Sequence, residues 1–519
     1  MNYRRRRNLK ILFTALVVYA LILVLLVLAE SRAPESSIHG FGEALWYSIV
    51  TLTTVGYGDL APVTPLGRLL GIILVLCSLG VLTTLLGMSV NFLSGEAVPR
   101  RRLRSARARR WYAFNAENED SILLASELLN TDPDAFVLFP QTVEKLLRGS
   151  HVIRMDASAQ ELTELRGTTE GLTFFCMETD ARKNMADAAQ AAECGCRCCC
   201  MTDYGAESLP DTVQVFSRKE VLARNYWKEH PLTAEERTVV LIGCGSTGSE
   251  LLEHGLLTNV FLRGRTVSYH VFGEHSGFCA LHHTIVRDLA EDKPDEDRLT
   301  FYDDAWQRHP ELLAAADRII LCTDDDQENL RTYDDLHRWY PTEAKVHIRF
   351  PETLTGVTCF GRSQDIFTPE FVLRNAANRL AILMNDLYNE GSPNPTAWES
   401  LSDFLRRSNI AAADHMIVKV RCLLQDDSLT ELNADLCRKA YEAWQAADPA
   451  LMEQCQEMEH RRWCRFHRMY NWEYAPVRNN ALRQHPLLMP YTELSEENQR
   501  KNSYAFEMLG RVAERQVRL

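Results

Sequence analysis

Thr54-Val55-Gly56-Tyr57-Gly58-Asp59 is the stretch that decides how the front of this chain folds. Glycines at alternate positions let the backbone reverse its twist without a Cβ penalty, so that successive carbonyls can face one side. Several such loops arranged in a ring replace the water shell of a dehydrated cation with carbonyl oxygens. The Thr54 hydroxyl supplies the innermost ligands, while Val55 and Tyr57 face away and brace the loop. Immediately before it, residues 41–53 read as a short amphipathic helix, too short to cross a bilayer. Its C-terminal end, the negative end of the helix dipole, points at the same place and favours a cation there.

Outward from this loop lie two apolar runs, residues 11–29 and 69–93. Each is close to the ~20 residues that cross a bilayer, and the first exceeds the ~7–15 of a signal-peptide core. Arg4–Arg7 and Lys10 precede the first run, and Arg100, Arg101, Arg102, Arg104, Arg107, Arg109 and Arg110 follow the second. Basic flanks at both inner ends place both termini in the cytoplasm, in the inner (plasma) membrane, and residues 30–65 outside. The first 110 residues hold 14 Lys/Arg against 5 Asp/Glu, whereas the whole chain has a net charge of −13. A basic membrane hairpin is thus followed by a large acidic body, which argues against nucleic-acid binding.

Trp46-Tyr47, then Thr53–Asp59, then Thr64-Pro65-Leu66-Gly67 resemble the pore of two-transmembrane prokaryotic K⁺ channels over about the first hundred residues. The resemblance implies a homotetramer in a lipid bilayer, with K⁺ held at Thr54, Val55, Gly56 and Tyr57. Val50 stands where some relatives carry an acid behind Asp59. Gly80 is the candidate gating hinge of the second span, with Ser78 and Gly87 nearby. No Arg-rich voltage-sensing helix is found, so control is expected to come from the acidic body.

That body opens with two successive α/β patterns, expected as domains at 108–232 and 236–366. In the first, strand-like segments at 110–114, 135–139, 171–176 and 196–201 alternate with helices, which argues a doubly wound parallel sheet. The cluster Cys194, Cys196, Cys198, Cys199 and Cys200 lacks a second pair at zinc spacing and reads as a buried strand of reduced thiols. Its turn, residues 115–120, has no glycine, so no dinucleotide is expected there. The second pattern is sharper: strand 238–242 runs into Gly243-Cys244-Gly245-Ser246-Thr247-Gly248. Gly243 makes the tight turn, Gly245 admits a pyrophosphate and Gly248 allows close helix packing. Ser246 and Thr247 open the helix whose N-terminus would hold the phosphate. Glu274, ending the next strand, is the acid for a ribose hydroxyl, and Thr323 with Asp324 follows the strand at 318–322. A nucleotide, NAD(H) or an adenine nucleotide, is the expected ligand. The acidic runs 291–297 and 324–326 make Ca²⁺ possible but are better read as a solvated charge run and a helix N-cap.

Two Rossmann-like units behind such a pore resemble the tandem domains that regulate K⁺ conductance, over roughly residues 108–366. The resemblance implies a cytoplasmic gating ring. Past it, residues 369–388 and 398–423 read as helices separated by a linker at 391–395. The tail, 429–519, combines Arg461, Arg462, Trp463, Trp472, Tyr474 and Arg478 with His485-Pro486 and Pro490-Tyr491. This resembles the repeat domain first described in ryanodine receptors and suggests a sensor for an anionic ligand with a base to stack. His460 and His485 read as structural. The fold expected is therefore a membrane α-helical pore, two Rossmann-like α/β domains, a helical linker at 367–428 and a mainly helical end. The activity expected is ligand-gated K⁺ conduction and not catalysis. The competing readings are a membrane-anchored nucleotide-dependent oxidoreductase and a regulatory subunit of a K⁺ transport complex.

Overall fold

The computed structural model describes residues 3–53, 55–92, 98–106, 109–141, 146–291, 293 and 295–515; the side chains of 3–16, 52, 76–85, 88, 91, 92 and 206 are outside that description. Two compact units result, Met1–Arg107 and Ala108–Leu519.

In the first unit, long helices Tyr3–Glu30 and Pro65–Phe92 flank the short helix Phe41–Leu52, and Val98–Ser105 follows. The short helix starts where Glu43 reaches back to accept the His39 and Gly40 backbone N–H groups at 2.7 and 2.6 Å. That contact satisfies donors which the first turn leaves without intrahelical partners. The three helices share a small core of Ile22, Leu23, Leu26, Ile38, Ala44 and Leu74. Among the described residues no helix is long and apolar enough to cross a membrane. The assignment of two spans therefore rests on the apolar runs of the sequence, of which 11–16 and 76–85 fall among the residues whose side chains are not described.

The described residues of the second unit form two six-stranded sheets, every strand pair parallel. The first contains β1 (Trp111–Phe114), β2 (Phe136–Phe139), β3 (Val152–Arg154), β4 (Leu172–Cys176), β5 (Arg197–Met201) and β6 (Val213–Phe216), in the order β3-β2-β1-β4-β5-β6. The second contains β7 (Thr238–Ile242), β8 (Ser268–Phe272), β9 (Arg298–Tyr302), β10 (Arg318–Leu321), β11 (Lys345–Arg349) and β12 (Thr358–Phe360), in the order β12-β11-β10-β7-β8-β9. Each is the 3-2-1-4-5-6 arrangement of a dinucleotide-binding fold, with its crevice where the strand order reverses. Cys198, Cys199 and Cys200 are fully buried in β5, and burial raises the thiol pKa of Cys200 to about 12. These cysteines act as small apolar residues, and Thr173–Cys176 and Val213–Phe216 close on them from either side.

Helix Arg218–Glu229 leaves the first sheet and packs against helix Ser246–Thr258 of the second. The approach is close: a Cβ on Gly255 would meet the Trp227 ring at 2.6 Å, and Trp227 Nε1 donates to the Leu251 carbonyl at 2.8 Å. One continuous apolar core then runs from Tyr112 to Val512, through both sheets and the C-terminal helices Ala434–Gln445, Pro449–Met469 and Tyr504–Glu514.

The helical region departs from expectation at three points. Residues 369–388 do not form one helix. Pro369–Val372 ends early, Asn375 takes a left-handed conformation (φ 50°), and helix Arg379–Asn389 begins afresh. Asparagine tolerates that conformation better than most side chains, so it serves as a break. Residues 398–423 split at Ser402, which caps Asp403–Asp414 by accepting the Leu405 N–H, and again at His415 before Met416–Leu424.

Candidate functional site

The loop after the short helix has the backbone its glycines permit. Gly56 and Gly58 adopt φ of 58° and 73°, both in the left-handed region. The loop is tied back to the helix by its own backbone, since Val55 and Gly56 N–H both donate to the Val50 carbonyl, at 3.1 and 3.2 Å. Val50 carries no acid, and Asp59 is held from another side: Trp46 Nε1 donates to Asp59 Oδ2 at 3.0 Å. The Trp46 ring also lies parallel to Tyr57, with centroids 6.4 Å apart. Trp46, Val55 and Tyr57 are nonetheless exposed in the single chain. Thr54 lies outside the described residues. Gly80 falls within helix Pro65–Phe92, and its surroundings lie outside them too.

Glu30 anchors the outer loop, a role that sequence reasoning missed. Its fully buried carboxylate accepts from Ser36 Oγ (2.8 Å), Val63 N (3.0 Å), Thr64 N (2.9 Å) and Thr64 Oγ1 (2.7 Å). It thereby staples both ends of the outer loop to the end of the first helix. Gly67 leaves the room, because a Cβ there would sit 1.9 Å from Glu30 Oε1. A lone acid at the end of an apolar run was the available signal.

At the second sheet the glycine turn is built as its spacing implies. Gly243 has φ 110°, and a Cβ on it would lie 2.4 Å from the Thr323 backbone nitrogen. A Cβ on Gly248 would lie 1.9 Å from the Gly243 carbonyl oxygen. Helix Ser246–Thr258 starts from Gly245, which has no side chain to cap it. The cap comes from Asp324. Its Oδ2 accepts Ser246 N and Oγ, both at 2.8 Å, and its Oδ1 accepts Thr247 N at 3.0 Å and Oγ1 at 2.6 Å. Burial alone would raise the Asp324 pKa; the bonds from Thr247 and Ser246 outweigh it and hold the carboxyl below its usual range. The place a pyrophosphate would take at this turn is filled by a carboxylate of the protein itself.

Beside the turn a cleft of about 520 Å³ opens over the C-terminal ends of β7, β8 and β9. Gly273, Glu274, Tyr302, Asp303, Asp304 and Trp306 are among its walls. Glu274 stands where expected, exposed, with its carboxylate accepting the Ser276 N–H at 3.0 Å, and that contact together with the Ser276 hydroxyl lowers its pKa. Thr323 is bound by N and Oγ1 to Asn329 Oδ1, at 2.9 and 2.8 Å. In the first sheet the corresponding turn is closed by amides. Met177 N donates to Asn115 Oδ1 at 2.8 Å, and Asn115 Nδ2 donates to Asn184 and Asp187, each at 2.9 Å.

The acidic runs are dispersed among separate partners. Asp325 caps helix Asp326–Trp339 by accepting Gln327 and Glu328 N–H, Asp326 pairs with Arg349 at 2.9 Å, and Asp297 pairs with Arg465 at 2.5 Å. Among the described residues no group of three or more His, Cys, Asp or Glu side chains could hold a metal ion.

The six C-terminal candidates do not share one surface. Arg462 is buried, bonded to Glu459 at 2.9 and 2.7 Å, and Glu459 also meets buried Lys419 at 2.9 Å. Trp472 is buried beside Phe404, and Trp463 stacks with His460 and lies 4.0 Å from His467, centroid to centroid. Tyr474 and Arg478 are exposed. Arg461 borders a cleft of about 330 Å³ shared with the second sheet's helices, beside Glu296 and Tyr491. His460 and His485 have structural roles: His460 Nε2 bonds the Met489 carbonyl at 2.8 Å, and His485 Nδ1 accepts the Leu487 N–H at 3.1 Å.

Comparison with known proteins assigns both ends of the chain. Residues 11–95 match the family described as ion channel, and residues 445–512 match the RyR domain. A voltage-gated potassium channel of Aeropyrum pernix is 43% identical over 76 residues, 14% of this chain and 26% of that one. The calcium-gated potassium channel TvoK of Thermoplasma volcanium is 33% identical over 91 residues, 16% of this chain and 26% of that one. The chain thus spans about a quarter of the length of these two curated relatives. Among solved structures, GsuK bound to ADP aligns over 72% of this chain and 98% of its own, with TM-score 0.36 and 17% identity. GsuK bound to NAD aligns over 74% and 86%, with TM-score 0.34 and 14% identity. The chain therefore carries an ion-channel segment of the potassium-channel kind at one end and a RyR domain at the other, with two parallel α/β units between them.

Proposed function

We propose that this chain is one subunit of a homotetrameric, K⁺-selective channel of the inner (plasma) membrane, opened or closed by ligands of its cytoplasmic unit. The observation that carries the reading is the loop 55–59, with two left-handed glycines and its flank braced by Trp46. A single chain leaves Val55 and Tyr57 bare, as expected of one quarter of a ring whose neighbours cover them. K⁺ is the cargo, and the carbonyl oxygens of residues 54–57 take the place of its water shell. Two spans with both termini inside follow from the flanking arginines.

Control is assigned to the second α/β unit, where Gly243, Glu274 and Thr323 line the crevice at which such sheets bind nucleotides and Gly245, Ser246, Thr247, Gly248 and Asp324 build the turn beside it. The RyR domain adds an input, with Arg461, Tyr474 and Arg478 as its reachable contacts. The protein's own residues bind, orient and transmit. Reconstituted vesicles should pass K⁺ in preference to Na⁺, and Gly56→Ala or Gly58→Ala should abolish flux while leaving the tetramer intact. Tetramers that bind nucleotide yet pass no K⁺ under any ligand would refute the channel reading and favour a regulatory subunit.

A further inference from the structure

We propose that the Asp324 carboxylate is a resident substitute for a diphosphate, and that the cleft of the second α/β unit takes a neutral nucleoside in preference to a nucleoside diphosphate. The proposal rests on the reading of this cleft as the nucleotide site and specifies which part of a nucleotide it admits.

Three observations carry it. First, the four donors that a pyrophosphate would use, Ser246 N and Oγ with Thr247 N and Oγ1, all point at Asp324 within 2.6–3.0 Å. Each carboxylate oxygen takes two of them, so an anion could reach these four donors only by displacing Asp324. Secondly, the space released by the missing side chain of Gly245 is filled from the same source. A Cβ there would meet Asp324 Oδ2 at 2.6 Å, and that space is what lets a pyrophosphate approach such a turn. Thirdly, the rest of the cleft repels negative charge. Glu274, Asp303, Asp304 and Glu328 line it, and among its described lining residues there is no Lys or Arg.

What remains suits a nucleoside. About 520 Å³ is within the range of small-ligand clefts. The carboxylates are acceptors for ribose hydroxyls and exocyclic amines, and Phe272, Tyr302 and Trp306 give apolar wall for a base. The first sheet shows a related solution, its turn closed by the Asn115 and Asn184 amides. There the groups that cap the turn are amides backed by Asp187, whereas at the second turn the capping group is itself an anion that a competing anion would have to displace.

The test uses the full-length channel in detergent, with adenosine and ADP as probes in calorimetry. Wild type should bind adenosine more tightly than ADP. Asp324→Asn should raise ADP affinity at least tenfold and change adenosine affinity less than threefold. In Asp324→Gly, inorganic phosphate at millimolar concentration should raise the melting temperature, and wild type should show no such shift. ADP bound equally by wild type and Asp324→Asn, with no phosphate effect on Asp324→Gly, would overturn the proposal and leave the nucleotide site standing. Binding of neither probe to any of the three proteins would overturn it together with the nucleotide reading.

Discussion

Arg465 in helix Pro449–Met469 reaches into the second α/β unit and meets Asp297 at 2.5 Å, with side-chain exposures of 3% and 2%. Asp297 also accepts the Val267 N–H at 2.7 Å, and Arg465 Nη1 donates to the Leu256 carbonyl at 3.3 Å. Burial alone would lower the Arg465 pKa, and the facing Asp297 and Glu296 raise it, so the guanidinium stays charged. Removing one member of a buried pair strands the other, at a cost of ~3–5 kcal/mol, whereas replacing both by apolar groups of similar size is often near neutral. Arg465→Met should therefore cost ~4 kcal/mol, and adding Asp297→Leu should recover most of it. The coupling energy in a double-mutant cycle should reach ~2–3 kcal/mol. Urea unfolding of residues 108–519, followed by tryptophan fluorescence, gives these values. If Arg465→Met costs under ~1 kcal/mol and the coupling falls below ~0.5 kcal/mol, the C-terminal domain is only resting on the α/β unit and the reasoning is refuted.

Gly248→Ala should destabilise the same fragment by ~3 kcal/mol, because its Cβ would be driven onto the Gly243 carbonyl oxygen; a cost below ~1 kcal/mol in urea would show that the turn can relax. Glu30→Gln should lower the melting temperature of the detergent-solubilised channel, with ~2–3 kcal/mol lost as charge-assisted bonds weaken and one buried donor is left facing another. Glu250 has its pKa raised to about 8 by burial and by the neighbouring Glu253 and Glu220, against Arg407. The folded state then holds a proton that the unfolded chain releases near its usual value of 4.5, so this group's contribution to stability falls as pH rises from 4.5 to 8. Glu250→Gln should lack that decline and gain on wild type over this window; parallel pH–stability profiles of the two would contradict the assignment.

How much could be read in advance depended on how local the cause was. Gly56, Gly58, Gly243 and Gly248 sit at positions where backbone geometry itself demands glycine, so spacing alone located both turns. The buried thiols of β5 were legible because five cysteines in seven residues suit a strand better than a metal site. Strands β3, β6, β9, β11 and β12 escaped because polar or charged residues such as Arg154, Gln214, Arg298, His347 and Thr358 interrupt them, so none shows the unbroken apolar run by which β1 and β2 were read. The breaks at Asn375 and Ser402 were hidden inside patterns that were helical on either side. Asp324 was expected beside the glycine turn, but its capping role depends on a chain separation of 78 residues folding it back onto Ser246. Glu30 depends in the same way on Val63 and Thr64. Arg462 and Trp472 had the composition of a ligand surface and the burial of a core, and composition does not distinguish the two.

Helix Ser246–Thr258 has its first turn on Asp324, and its far half carries Glu253, which accepts the Tyr470 hydroxyl at 2.7 Å, and Leu256, whose carbonyl meets Arg465. One rod thus has the glycine turn of the second sheet at one end and the RyR domain along its other. If ligands at the two ends are coupled through this rod, each must change the other's affinity by the same factor. Two chemical messages would then be weighed against each other within a single subunit, before the pore registers either.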